Sequence, residues 1–159
     1  MRALSEDLLI NVTEFFRDPP IFEALREHAF AAILRDRQPG EPIRIWVPAC
    51  STGEEVYSIA MCLMEYLSEA GAEFPVHIFG TDVSERCIQK ARAGVYGSSA
   101  VSVVSPERLK RFFIEVDSGY QIVRSIREKC VFAIQNLAAD PPFSRMDLIN
   151  RLPEARFFS

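Results

Sequence analysis

The feature that most constrains this chain is a short strand that breaks into a small-residue loop and restarts as an amphipathic helix. Ile43-Arg44-Ile45-Trp46-Val47 alternates apolar and other residues as a strand does. Pro48 to Gly53 is small and nearly uncharged, and Glu54 and Glu55 follow it directly. Val56, Ile59, Ala60, Leu63, Met64 and Leu67 then form one helical stripe, which Gly71 stops. Val76 to Gly80 is apolar enough to be a strand buried on both faces. Ser84 can cap a helix that carries Ile88 and Ala91 and ends at Gly94. Strand, helix, strand, helix is the order of a parallel sheet with crossover helices.

Upstream, Asp18-Pro19-Pro20 offers a cap residue with proline at the first helical position, and Ile21, Leu25, Ala29 and Ile33 predict a helix from about Pro19 to Leu34. Downstream the alternation changes. Ser105-Pro106-Glu107 starts a short helix through Phe113. Phe112 to Val116 and Tyr120 to Ser125 read as a hairpin across Asp117-Ser118-Gly119. Cys130 to Ile134 and Met146 to Ile149 are further short apolar strands.

A chain of 159 residues suffices for one domain with a real core. Its net charge of -4 argues against a nucleic-acid surface, which needs clustered positive charge, and no nucleic-acid partner is expected. Lys110-Arg111 and Arg124 to Lys129 read as solvated faces. Cys50, Cys62, Cys87 and Cys130 lack metal-ligand spacing, so no metal is expected and reduced thiols fit. Cys50 reads as small buried filler. No apolar stretch reaches the length of a membrane helix and the N-terminus is not a signal peptide, so a cytoplasmic location without membrane insertion is expected.

In a doubly wound sheet, ligands bind beyond the carboxyl ends of the strands. Ala49, Ser51 and Gly53 allow a ligand close to the backbone, but a single glycine is not a dinucleotide fingerprint. Glu54 and Glu55 suit a helix N-terminus. They would also repel a pyrophosphate and accept a cationic ligand, which favours S-adenosylmethionine over a nicotinamide dinucleotide. Asp82, just beyond the second strand, can take ribose hydroxyls or cap the helix near Ser84, and position alone does not choose. Asn136-Leu137 after the strand Cys130 to Ile134 can read adenine or form a turn.

Four stretches together carry a resemblance: INVTEFFRDP (Ile10 to Pro19), WVPACSTGEEVYSIA (Trp46 to Ala60), GTDVSERCIQKARAGVY (Gly80 to Tyr96) and NLAADPPFSRMDLI (Asn136 to Ile149). In that order they resemble the CheR-type chemotaxis protein methyltransferases. The resemblance implies an α/β fold, a partial Rossmann-like class I methyltransferase sheet with a small antiparallel hairpin insertion at about 112–126. It divides the chain into a cofactor-contacting segment, 1–18, and a partial S-adenosylmethionine-binding domain, 19–159. It implies methyl transfer from S-adenosylmethionine to glutamates of chemoreceptors or related proteins. Asn11, Thr13, Arg17, Glu55, Asp82, Asn136 and Leu137 match the family's cofactor contacts. The hairpin looks like an insertion that in some members docks a receptor peptide.

Such chemistry needs no strong base, because a glutamate is ionised near neutral pH. It is mainly positioning, and Arg17 is the candidate catalytic residue, able to orient the carboxylate through paired hydrogen bonds or to touch the cofactor instead. His28 and His77 are isolated. Read without the family, Thr13 to Arg17 is a loop with two core aromatics and a surface arginine.

The chain departs from the family at both ends. Ten residues precede Asn11 where members carry a helical domain, and after Ile149 the sequence NRLPEARFFS replaces the expected Cys-Arg-Asn stretch and later strands. Asn150-Arg151 is therefore not carried over onto the family's Arg-Asn pair, and Pro153 opposes a further regular element. A truncated or divergently terminated member is expected, with about four parallel strands where the family has seven and an interior strand left as an edge. Three functions stay open in order: the methyltransferase, a remnant that binds the cofactor or a partner without turnover, and a nicotinamide-dependent oxidoreductase.

Overall fold

The computed structural model describes residues 13–136, 140, 143–151 and 154–157, with residues 151 and 154–157 described by backbone alone. The helix α1 runs from Pro19–Ala24 through a π-helical turn, Leu25–Phe30, to Ala31–Arg35. Proline opens it as the sequence implies, but Asp18 lies in the left-handed region with no side-chain cap; its backbone carbonyl accepts from Ile21 N instead, at 2.9 Å. Strand β1 is Ile43–Val47, helix α2 is Glu54–Ala70, strand β2 is Val76–Asp82 and helix α3 is Glu85–Ala93. Ser84 caps α3 by accepting from Cys87 N at 3.2 Å.

A two-residue strand β3 (Val95–Tyr96) follows, then helix α4 (Pro106–Phe112), strands β4 (Phe113–Val116) and β5 (Gly119–Ile122), and a helical turn α5 (Arg124–Arg127). Strand β6 is Cys130–Ile134, β7 is Leu148–Arg151 and β8 is Glu154–Phe157. The main sheet has the order β6-β2-β1-β7-β8, with the first four strands parallel and β8 antiparallel to β7. A second sheet, β3-β5-β4, is antiparallel throughout. This is the expected Rossmann-like α/β arrangement with its small antiparallel addition.

Three expectations are corrected. The second hairpin strand stops at Ile122, because residues 124–127 coil into α5, where Ile126 is buried and Arg127 Nε reaches back to the Ile122 carbonyl at 3.0 Å. The small sheet has a third strand, since Val95 and Tyr96 pair with Gln121 and Tyr120. The regular structure also continues past residue 153, and β8 pairs with the flank of β7 that was expected to stand as an open edge.

The alternation along β1 decides how the layers pack. Ile43, Ile45 and Val47 are fully buried on the face covered by α2, where Val56, Ile59, Ala60 and Leu63 are also fully buried. Each such branched side chain contributes about 1.5–3 kcal/mol by leaving water. Arg44 and Trp46 point to the other face, where Phe143 packs edge-on to Trp46 at 5.3 Å and stacks on Phe79 at 5.1 Å. Across the core, Phe15 sits edge-on to Tyr96 and Phe113, which ties the segment before α1 to the small sheet. Glu65 receives Arg108 through both carboxylate oxygens at 2.9–3.2 Å, and the same guanidinium lies 4.0 Å from the Phe16 ring centroid. At the start of β7, Asp147 forms an ion pair with Arg37 and accepts from Arg44 N at 2.8 Å.

Candidate cofactor site

The loop between β1 and α2 is bent at three residues that adopt positive φ: Ala49 at 53°, Ser51 at 52° and Gly53 at 94°. Two of the three are not glycine, so the bend must be held from outside. Cys50 N donates to the Thr81 carbonyl at 2.8 Å, and Ser51 N donates to Asp82 Oδ2 at 2.9 Å. The other Asp82 oxygen accepts from Ser84 N at 2.9 Å. From the far side, the Tyr96 hydroxyl donates to the Thr52 carbonyl at 2.7 Å. At Gly53 a Cβ would stand 2.8 Å from the Cβ of Ala91, so the loop lies directly against α3 and glycine is required there.

Asp82 thus performs the helix-start role that its position allowed, and also locks the loop. Its paired position is Ile134 in β6, so Asn136 lies just beyond the same rim of the sheet. Asn136 is exposed there, its N–H donating to Asp140 at 2.7 Å. Thr13 and Arg17 are both half-buried. The positive charge of Arg17 acts on Glu55, which joins the segment before α1 to the first turn of α2. Phe16 N also donates to Ser58 Oγ of α2 at 3.0 Å. Asn11 and Leu137 lie outside the described residues. The site therefore brings together Arg17, Glu55, Asp82 and the loop, with Asn136 at the neighbouring strand end.

Sequence reasoning passed over one residue of this site, Tyr96, and set aside another, Asn150. Tyr96, fully buried in β3, holds the loop carbonyl. Asn150, 1% exposed near the end of β7, donates from Nδ2 to Glu55 Oε1 at 3.2 Å. The signal that singled out Asp82, a polar residue at the carboxyl end of a parallel strand, would have found Asn150 as well.

The electrostatics favour a cationic ligand. Burial raises both Glu54 and Glu55, and Glu55 goes from the usual 4.5 to about 7 against the lowering influence of Arg17. Burial also pushes the Cys50 thiol far up, so it stays protonated and serves as filler. The folded chain holds the Glu55 proton more tightly than the unfolded chain does. The stability this group contributes is therefore fully present below about pH 4.5 and is lost as pH rises through about 7. Glu55→Gln is accordingly expected to stabilise the ligand-free chain by about 1–3 kcal/mol at about pH 8, after solvent screening, and by little near pH 4. Denaturant melts of both chains across that range check this.

These residues fit S-adenosylmethionine. The bent loop exposes backbone at close range, Ser51 Oγ is a buried hydroxyl with no partner among the described residues, and Glu55 is an acid that burial holds back from ionising and that a positive charge would favour. Among the described residues no group of acids, histidines or cysteines is placed to hold a metal ion, and no helix is long and apolar enough to cross a membrane.

Comparison with known proteins gives the same reading. The family described as CheR methyltransferase, SAM binding domain, matches residues 11–151. A 104.1 kDa protein of Rhodobacter capsulatus is 38% identical over 94% of this chain and 16% of its own length. A probable chemotaxis protein methyltransferase of Rhizobium etli is 33% identical over 93% of this chain and 57% of its own length. The chemotaxis protein methyltransferase of Salmonella typhimurium is 34% identical over 94% and 46%. The chain spans about half the length of the two chemotaxis relatives. With the family matched across nearly all of its residues, this chain belongs to the CheR methyltransferases through their SAM-binding domain.

Proposed function

We propose that this chain binds S-adenosylmethionine at the bent loop and takes part in methylating glutamate side chains of chemoreceptors or related proteins. The observation that carries the reading is the meeting of the Asp82-locked loop with Glu55 and Arg17 at one rim of the sheet. Asp82, Glu55 and the loop backbone would hold the cofactor, with Thr13 and Asn136 flanking it. When bound, the cofactor supplies an electrophilic methyl group.

The residues of the chain have little proton chemistry to do, because a substrate glutamate is already ionised. Arg17 orients the incoming carboxylate by charge-assisted hydrogen bonds, and the positioning lowers the barrier. The small sheet supports a role in substrate docking: β4 lies at its rim, carries the exposed Ile114, and joins through β5 to the Tyr96 that holds the loop.

Calorimetric titration with S-adenosylhomocysteine tests the binding, and formation of alkali-labile methyl esters on a receptor-derived substrate tests the transfer. Saturable binding with ester formation is expected. Binding without ester, in a folded preparation, would leave a cofactor-binding module and overturn the catalytic reading.

A further inference from the structure

Glu55 is the acid best placed to meet a cationic ligand, and Asn150 holds it directly. Asn150 comes from β7, whose Leu148 and Ile149 pair with Ile45 and Trp46 of β1, so Asn150 lies level with the end of β1 and below the loop. Its Nδ2 donates to Glu55 Oε1 at 3.2 Å, while its Oδ1 is buried without a hydrogen-bond partner among the described residues. A carboxylate only accepts, so it dictates which end of the amide it faces. The orphaned Oδ1 is the cost of that choice, because a buried polar atom without a partner is destabilising. An apolar residue at this strand position would avoid the orphaned atom but would leave Glu55 Oε1 without this donor.

Resting on the cofactor reading above, we propose that Asn150 is a positioning residue: its buried amide holds the Glu55 carboxylate at the first turn of α2 and thereby sets how tightly that carboxylate takes the ammonium group of the ligand. The other charged groups that act on Glu55 are Arg17, which favours the ionised form, and Asp18, which opposes it. Glu54 adjoins it on α2, and the Cys50 thiol of the loop is protonated. Asn150 is thus the neutral donor in a setting where burial works against the charge. Its hydrogen bond gains more from the charged carboxylate than from a neutral carboxyl group.

The test compares the parent chain with Asn150→Leu and Glu55→Gln, with S-adenosylhomocysteine as the probe, by calorimetry between about pH 5.5 and 9. The parent chain is expected to bind more tightly as pH rises through the ionisation of Glu55, and Glu55→Gln to lose that dependence. Asn150→Leu should move the midpoint upward by about half to one pH unit, weakening binding by about 3–10-fold at neutral pH and little at about pH 9. An equal loss at every pH, or an unmoved midpoint, would overturn the proposal. Carbon NMR of the glutamate carboxyl groups, with the Glu55 signal assigned from Glu55→Gln, reads the same midpoint without ligand. If the parent chain binds nothing, the cofactor reading fails. The NMR midpoint then still decides whether Asn150 governs Glu55.

Discussion

Asp82→Ala is expected to weaken S-adenosylhomocysteine binding by about 100-fold or more and to lower folding stability by about 2–4 kcal/mol, a loss built from two charge-assisted hydrogen bonds and the backbone donors they leave behind. The carboxylate accepts from Ser51 N with one oxygen and from Ser84 N with the other, each at 2.9 Å. Ser51 sits at a φ of 52°, a conformation a serine keeps only while something holds it. Alanine would free the loop and the start of α3 together. Asp82→Asn retains one acceptor for one of the two donors, so it should fall between parent and alanine in both measurements. Denaturant unfolding and calorimetry on the three chains give the comparison. If Asp82→Ala binds like the parent, the loop supports itself and Asp82 contacts no ligand.

Gly119→Ala is the second large effect, expected at about 3–5 kcal/mol of destabilisation, a value reserved for strained or overpacked backbone sites. Gly119 has a φ of 144°, and a Cβ built on it would stand 2.2 Å from the Tyr96 carbonyl oxygen. No rotamer relieves that contact, because the Cβ of alanine is fixed by its backbone and the carbonyl it meets is itself backbone. Strand β3 would have to leave β5, and Tyr96 would move with it. Since the Tyr96 hydroxyl donates to the Thr52 carbonyl, cofactor binding should weaken as the small sheet opens. A Tyr96→Phe chain separates the two effects: it keeps the sheet and loses only the loop contact. Binding unchanged in Tyr96→Phe but reduced in Gly119→Ala would mean that the sheet acts on the site by another route.

The sequence was most legible where periodicity and punctuation agree. The bounds of β1 and β6 match their apolar runs, and α2 ends one residue before the Gly71 that stops it. Legibility failed where a few long-range hydrogen bonds decide the conformation. Two residues make β3, and two residues have no period. Arg124–Arg127 has strand-compatible neighbours, yet burying Ile126 draws it into a helical turn. Pro153 argued for an ending, but an antiparallel return needs no more than a turn, and β8 follows. In the site, Asp82 was found because strand ends gather ligands. Asn150 was set aside because Asn150-Arg151 reverses the order of the family's Arg-Asn pair and no apolar strand-helix pattern follows it, although the family match itself runs to residue 151. Only the structure shows that its amide crosses to Glu55.

One feature of the sheet gives the chain an intrinsic optical probe. Trp46 is its one tryptophan, it is 5% exposed, and its indole Nε1 donates to Thr81 Oγ1 at 3.0 Å. The carbonyl of that same Thr81 accepts from Cys50 in the loop. Indole emission is blue and bright in such a dry, packed setting and shifts to the red when water enters. A change of the loop is therefore one residue away from Trp46, and the emission of the unlabelled protein is expected to shift on addition of S-adenosylhomocysteine and on unfolding of the sheet, which a fluorescence titration checks.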